Sequence, residues 1–515
     1  MDTLICAGGS GARILESVLH LCAAGLGPPR LRTFIIDPDA TNGSVQRAKD
    51  AVTAYIACQK VFGDGPFFRT EIDLLKGSNE VRVWSPVDRA QRFQQVLNYE
   101  GLSPDQRQIV DLLFTKEELE MTMDVGFRGH PALGAAALSL LPLFRNDTRN
   151  PLWSQFATDL QHDVTNGEAH VVIAGSVFGG TGASTIHPLV RYLRSPDLLS
   201  SNREKLKLGA VALAPYFQFS AADAAAQNGE ATEAEKAAQS ELFPLASRSA
   251  AEYYEHLRRN SDWAFDAMYW IGDDSPVKVE YSKGGSKQNN PAHFVELMGG
   301  LACLEFFFGG SPAHDCCYAG PQASTELPDR NPVTWRDLPL SHLERNRVRD
   351  SIHCFHLAGA AHLGFFDRLL ADERLEHHSY FVPWYRDHFT NGSGKLTGTE
   401  ARTRNSSLTE YFNTHYFPWW DQIHTADGGR VRLLNRSLWD GGGSLSHVRL
   451  NQLGSILYQE NGRAPVHGMD SFFDWTVKVS KGSPANVSPS SRYLWILGKA
   501  AEKFVQQTHG DSRSE

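Results

Sequence analysis

The chain reads as an α/β protein with a parallel sheet, because one pattern occurs twice along it. An apolar run leads to a glycine-rich turn, an amphipathic stretch and a second apolar run. In the first occurrence residues 3–7 precede Gly8, Gly9, Ser10 and Gly11, and residues 31–36 close the unit. In the second, residues 169–174 lead to Gly179, Gly180, Thr181, Gly182, Ala183 and Ser184, and residues 208–214 follow. Short apolar runs bounded by turn residues suit strands buried on both faces. A strand–helix–strand succession requires parallel pairing, with the helix crossing over the sheet.

The elements follow in order. Residues 12–26 predict a helix with Ile14, Leu15, Val18, Leu19 and Leu21 on its apolar face, ended by Pro28 and Pro29. The strand at 31–36 runs into Asp37, Pro38 and Asp39. A second helix is expected at 186–193 and a further strand at 267–272. Residues 221–240, rich in Ala, Glu and Gln, read as a solvated helix or excursion, and 278–290 as a polar loop. Pro291 opens the nearly all-apolar stretch 292–308, a buried central helix with proline in its first turn. Helices at 341–370 and 491–507 and an aromatic cluster of Tyr416, Phe417, Trp419 and Trp420 lie beyond it. The expected organisation is a nucleotide-binding domain over 1–290, a linking helix over 291–310, a smaller α+β second domain over 311–470 and a helical extension over 471–515.

A length of 515 residues exceeds one typical core. Hydrophobic content of 41%, charged content of 21% and a net charge of −9 fit a soluble protein and argue against non-specific nucleic-acid binding. The 7 cysteines form no C-x-x-C pair, which argues against a zinc ribbon and for reduced thiols. No apolar run is long enough for a membrane span, and the early first strand leaves no room for a leader, so a cytoplasmic location is expected.

The chemistry lies in three turns, the third being Gly129, His130, Pro131, Ala132, Leu133 and Gly134. Glycine allows close approach of the backbone to a ligand, and free amides at a helix start favour an anion. Two such turns in one domain suggest a polyphosphate between them. A Walker A loop is excluded because the turn at 175–181 lacks the required lysine. The dinucleotide fingerprint fails where Ile14 stands in place of its last glycine, although Asp37 suits a ribose. A dinucleotide-dependent oxidoreductase also leaves the other turns unused and ranks last. His353 and His356 have metal-ligand spacing without a second ligand pair, so no metal site is assigned. His293 and Glu296 read as a structural pair. Cys316 and Cys317 are adjacent and do not easily bridge each other.

Taken together these motifs resemble the tubulin/FtsZ superfamily. Gly179-Gly180-Thr181-Gly182-Ala183-Ser184 matches its GGTG[ST]G turn except at Ser184, and Gly8-Gly9-Ser10-Gly11 resembles its opening loop. Residues 35–40, with Asp37 and Asp39, resemble the FtsZ segment V-N-T-D-A. Residues 126–134 resemble the G-N-P-E-x-G loop, and 208–217 the strand and proline-aromatic turn after the phosphate helix. Asn289-Asn290-Pro291 resembles the start of the central helix. The motifs cover residues 1–310 in the family's order.

The resemblance implies GTP or GDP as ligand, with Mg²⁺, in a divergent bacterial protein that hydrolyses GTP slowly or on assembly. Self-association would be head to tail, into filaments or oligomers. Ser10, Gly11 and the turn at 179–184 would hold the α- and β-phosphates, with Thr181 donating its hydroxyl. Gly129, His130 and Gly134 would close over the γ-phosphate, and Asn289 or Asn290 would read the base. The family's acidic catalytic loop has its nearest counterpart at 331–337, which makes Asp337 the candidate acid. Two departures stand out: Ala132 replaces an acidic residue and His130 an asparagine. They keep a second class of function in view, a nucleotide-gated binding module that controls a partner protein without polymerising.

Overall fold

A computed structural model describes the chain except residues 40, 76–79, 86, 124–126, 128–129, 141–150, 197, 200, 220–242, 261, 274–275, 281–284, 310–331, 341–343, 368–383, 385–389, 392–393, 396–397, 427–428, 436–452, 455, 458–467 and 512–515. Its centre is a parallel sheet of β1 (Asp2–Ala7), β2 (Arg30–Ile36), β3 (Glu71–Asp73), β4 (Val83–Trp84), β5 (Ala169–Ser176), β6 (Leu206–Leu213) and, after the short strand β7 (Phe217–Phe219), β8 (Ala267–Ile271). The spatial order is β3-β2-β1-β5-β6-β8, with β4 also pairing β2. A further strand, β9 (Val277–Val279), pairs with β7 in a separate parallel two-stranded sheet.

The period of two along each strand divides the interior into two layers. Leu4, Cys6, Val172, Ala174, Val211 and Leu213 face one side, while Ile5, Val171, Ile173, Ala210 and Ala212 face the other. The first face is covered by α1 (Gly8–Ala23), α2 (Gly43–Phe62) and, later in the chain, a long apolar helix at Phe294–Gly309. The second is covered by α3 (Pro151–Asn166), α4 (Gly180–Leu193) and α5 (Phe243–Arg259). Helix Phe294–Gly309, hereafter α6, lies close on α1 because Gly299 and Gly300 carry no side chain. A Cβ at either would come within 3.0 Å of Ile14 or Ser17. A third, smaller core around Phe93, Phe114, Met123 and Leu133 belongs to residues 87–137.

Among the described residues the part beyond α6 is mainly helical: α7 (Arg345–Ala361), α8 (Gly398–Glu410), α9 (Phe417–Ala426), α10 (Met469–Ser480) and α11 (Pro489–Asp511). Strand pairing there is limited, among the described residues, to two-residue strands at Thr390–Asn391 and Gly394–Lys395 and isolated bridges. Much of the expected α+β span lies outside the described residues. The helices of this part share one apolar cluster with α1 and α2. Tyr416, Phe417, Trp419 and Trp420 are all buried in it, so the aromatic cluster is core.

Candidate functional site

The strand order reverses between β1 and β5. From β1 the chain moves outward to β2, whereas β5 is followed by β6 on the opposite side. Connections leaving the two neighbouring strand ends diverge, and such a switch point opens a crevice at the carboxyl edge of a parallel sheet. Two of the three glycine turns sit there, since Ala7 at the end of β1 pairs with Gly175 near the end of β5.

Helix α1 begins at Gly8, directly after the last residue of β1. That reversal places Gly8 at φ +72°, a conformation costly for other residues. Neither α1 nor α4 has a side-chain cap or an acidic residue in its first turn. Their leading amides and the positive ends of both helix dipoles are therefore available to an anion. The two turns touch: a Cβ on Gly8 would stand 3.2 Å from the Thr181 Cβ and 3.5 Å from the Gly182 N. A Cβ on Gly182 would stand 2.5 Å from the Ser176 carbonyl oxygen, which makes glycine a packing requirement there. Ser10, Gly11, Thr181, Gly182 and Ser184 are buried, with Gly9, Gly179, Gly180 and Ala183 in the same two turns.

The remaining turn approaches α4 from the side. Gly134 lies in a helix at Pro131–Leu140, and a Cβ on it would meet the Ser184 Oγ at 2.3 Å. Ser184 donates to the Gly180 carbonyl at 2.7 Å, a bond back into its own helix. Ser184 is thus accommodated by glycine at 134. His130 lies 3.1 Å from Glu118. Gly129 is outside the described residues.

Asp37 and Asp39 follow β2, on the other flank of β1. The Asp39 carboxylate accepts three hydrogen bonds, from the Thr41 hydroxyl at 2.7 Å and amide at 3.1 Å on one oxygen and from the Gly285 amide at 2.7 Å on the other. Asp39 is thereby a loop organiser joining residues 39–41 to the segment 285–290. Asp37 accepts from the Asp39 amide at 3.0 Å. Burial pushes its carboxyl up to about 7 against that bond and the charge of Arg89. Asn42 caps α2 through Ser44 and donates to Gln288 at 2.8 Å, while its side chain faces Gly9.

Segment 285–290 lies on the start of α2, with the Gln288 carbonyl accepting from the Ser44 amide at 3.1 Å. Asn289 is exposed and Asn290 buried. The Asn290 Nδ2 is buried and has no hydrogen-bond partner among the described residues, an arrangement that costs free energy until an acceptor arrives. Sequence reasoning missed the polar cluster behind it. Buried Arg13 on α1 pairs with buried Glu296 on α6 and donates to Ser44 at 3.0 Å and Tyr216 at 2.6 Å. Tyr216 donates in turn to Glu296 at 2.6 Å, and the Glu296 Oε2 accepts from the His293 amide at 3.0 Å. Arg13 and Ser10 are also within 3.4 Å. The sequence marked Glu296 only as the partner of His293.

Asp337 is not drawn into this cluster. It caps its own turn, accepting from the Thr334 amide at 2.8 Å and hydroxyl at 2.9 Å. His353 and His356 are buried, His353 beside Trp335 and His356 against Phe417, and no grouping of three or more metal-ligating side chains occurs among the described residues. Among those residues no helix is long and apolar enough to cross a membrane. The geometry defines a doubly wound α/β fold whose two glycine turns meet at its switch point. No family model, curated protein or solved structure matches the chain.

Proposed function

We propose that this chain is a tubulin/FtsZ-like GTP-binding protein that holds GTP or GDP, with Mg²⁺, across the switch-point crevice. The observation that carries the reading is the apposition of two uncapped helix starts at neighbouring strand ends, with Gly8 against Thr181. Backbone amides from both turns and the Thr181 hydroxyl would take the α- and β-phosphates, and His130 with Gly134 would approach the γ-phosphate. Oriented amides substitute for the missing lysine. Mg²⁺ would add charge neutralisation at the phosphates. The Asn290 amide would read the base, because it offers a donor and an acceptor together. Slow or assembly-dependent GTP hydrolysis and head-to-tail self-association belong to this reading through the motif resemblance.

Chromatography of the nucleotide released from denatured purified protein tests it. Guanine nucleotide is the expected result, and an adenine or nicotinamide nucleotide overturns it. The local engagement of Asp337 favours one second reading, a nucleotide-gated module that controls a partner protein and does not polymerise. Sedimentation with GTP against GDP separates the two: a GTP-dependent pellet supports assembly, and its absence supports the module.

A further inference from the structure

One cation in the buried polar cluster serves a different segment from Arg13. Arg47 lies one helical turn after Ser44 on α2, and its Nε donates to the buried Glu16 of α1 at 2.8 Å. Its Nη1 donates to the Asn290 carbonyl at 2.8 Å and reaches the Asn289 Oδ1 at 3.3 Å and the Gln422 Oε1 at 3.5 Å. Gln422, on α9, also accepts from the Ala292 amide at 2.8 Å. One guanidinium and one glutamine therefore hold the Asn290 carbonyl and the Ala292 amide, and they come from α2 and from the C-terminal helical part. The Nη2 of Arg47 and the Nδ2 of Asn290 are both buried donors without a partner among the described residues.

The rigid planar fork of Arg47 is what spans these acceptors. A lysine ammonium can satisfy Glu16 but does not reproduce the fork. Burial raises the Glu16 carboxyl while the charge of Arg47 lowers it. With Glu16 buried and Arg47 half-buried, the pair is weak evidence for stability, since apolar replacement of both partners is often neutral.

We propose that Arg47 is a positioning residue for nucleotide specificity: it holds Asn290 in the orientation that reads the base, and through Gln422 it makes helix α9 part of the nucleotide site. The proposal rests on the GTP-binding reading above. Its test is calorimetric titration of GTP and ATP into the parent, Arg47→Lys and Gln422→Leu, with a melting curve for each. Arg47→Lys keeps the ion pair with Glu16 and therefore the fold. Its preference for GTP over ATP is expected to fall by roughly tenfold, the worth of one hydrogen bond to a charged group. Gln422→Leu should shift the ratio the same way by about threefold. The double variant Arg47→Met/Glu16→Met removes the pair without stranding a charge, and should melt near the parent while losing discrimination as fully as Arg47→Lys. A purely structural role predicts lower melting temperatures with an unchanged GTP/ATP ratio, and that result overturns the proposal. Equal parent affinities for GTP and ATP overturn the specificity role while leaving nucleotide binding standing. A parent that binds no GTP overturns the nucleotide reading and this inference with it.

Discussion

The crevice has two halves built from different materials. On the β1 and β5 side the walls are backbone: glycines, helix starts and a threonine, each within a few residues of its strand. On the α2 and α6 side they are side chains brought together from distant parts of the chain, Arg13 with Glu296 being separated by 283 positions. The backbone half presents donors that need no desolvation of a charge and can meet any phosphate. The side-chain half contains one buried cation, Arg13, and one half-buried cation, Arg47, each already matched by a buried carboxylate. In the proposed nucleotide-binding reading, affinity for phosphate and selectivity for the rest of the ligand would be separable, and substitutions in the two halves should fail differently.

The largest effect is expected in the side-chain half. Arg13→Met strands Glu296 in an interior where its side chain is 0% exposed, and should destabilise the protein by about 3–5 kcal/mol in urea titrations. Arg13→Met/Glu296→Met should recover most of that loss, because neither charge is then left unpaired. If the double variant were as unstable as the single one, the pair would be integral to folding and not a charge-matched insert.

A smaller effect is expected where the backbone half is packed. Gly134→Ala places a methyl against Ser184 and should cost about 1–3 kcal/mol. Ser184→Gly added to it should restore part of the loss, since Phe127 at 2.8 Å still crowds the methyl, a coupling that a thermal double-mutant cycle measures. Additive losses would mean that the two residues do not compensate one another.

The smallest concerns Asp37, on the flank between the halves. Its folded carboxyl is raised from 3.8 to about 7, so the folded state binds the proton more tightly. The stability this contributes is present in full below about pH 4 and is lost as the pH rises to about 7. Asp37→Asn should flatten that segment of the stability profile and be more stable than the parent at pH 8, by at least about 1 kcal/mol. Parallel profiles for the two proteins would contradict the burial argument.

The same division explains what the sequence disclosed. Strands at 3–7, 31–36, 169–174 and 208–214 were legible because continuous apolar runs followed by glycine have few other readings. Both helix starts were expected too late, at 12 and 186, whereas α1 and α4 begin at Gly8 and Gly180. The glycine turn is itself the first helical turn, and glycine does not look helical in a pattern. Helix α2 went unread because its buried positions, among them Val45, Ala48, Val52 and Tyr55, are diluted by Gln, Arg, Lys and Asp. Arg13 and Arg47 carried no local mark at all, and Tyr216 was marked only as part of a proline-aromatic turn, since their roles depend on which helices meet. Asn290 was legible by its place before the central helix, but its orphaned donor was visible only in three dimensions.

In the proposed reading the two glycine turns hold a nucleotide through backbone groups. Calorimetric titration of GTP into the parent and into Gly8→Val tests it most directly. Valine at φ +72° is strained, and its Cβ would lie 3.2 Å from the Thr181 Cβ, inside the space between the turns. The account predicts saturable, one-to-one GTP binding by the parent and a loss of at least about a hundredfold in the variant, the worth of two hydrogen bonds to a charged group. Equal GTP affinity in a folded Gly8→Val protein would contradict it and remove the turns from the ligand site.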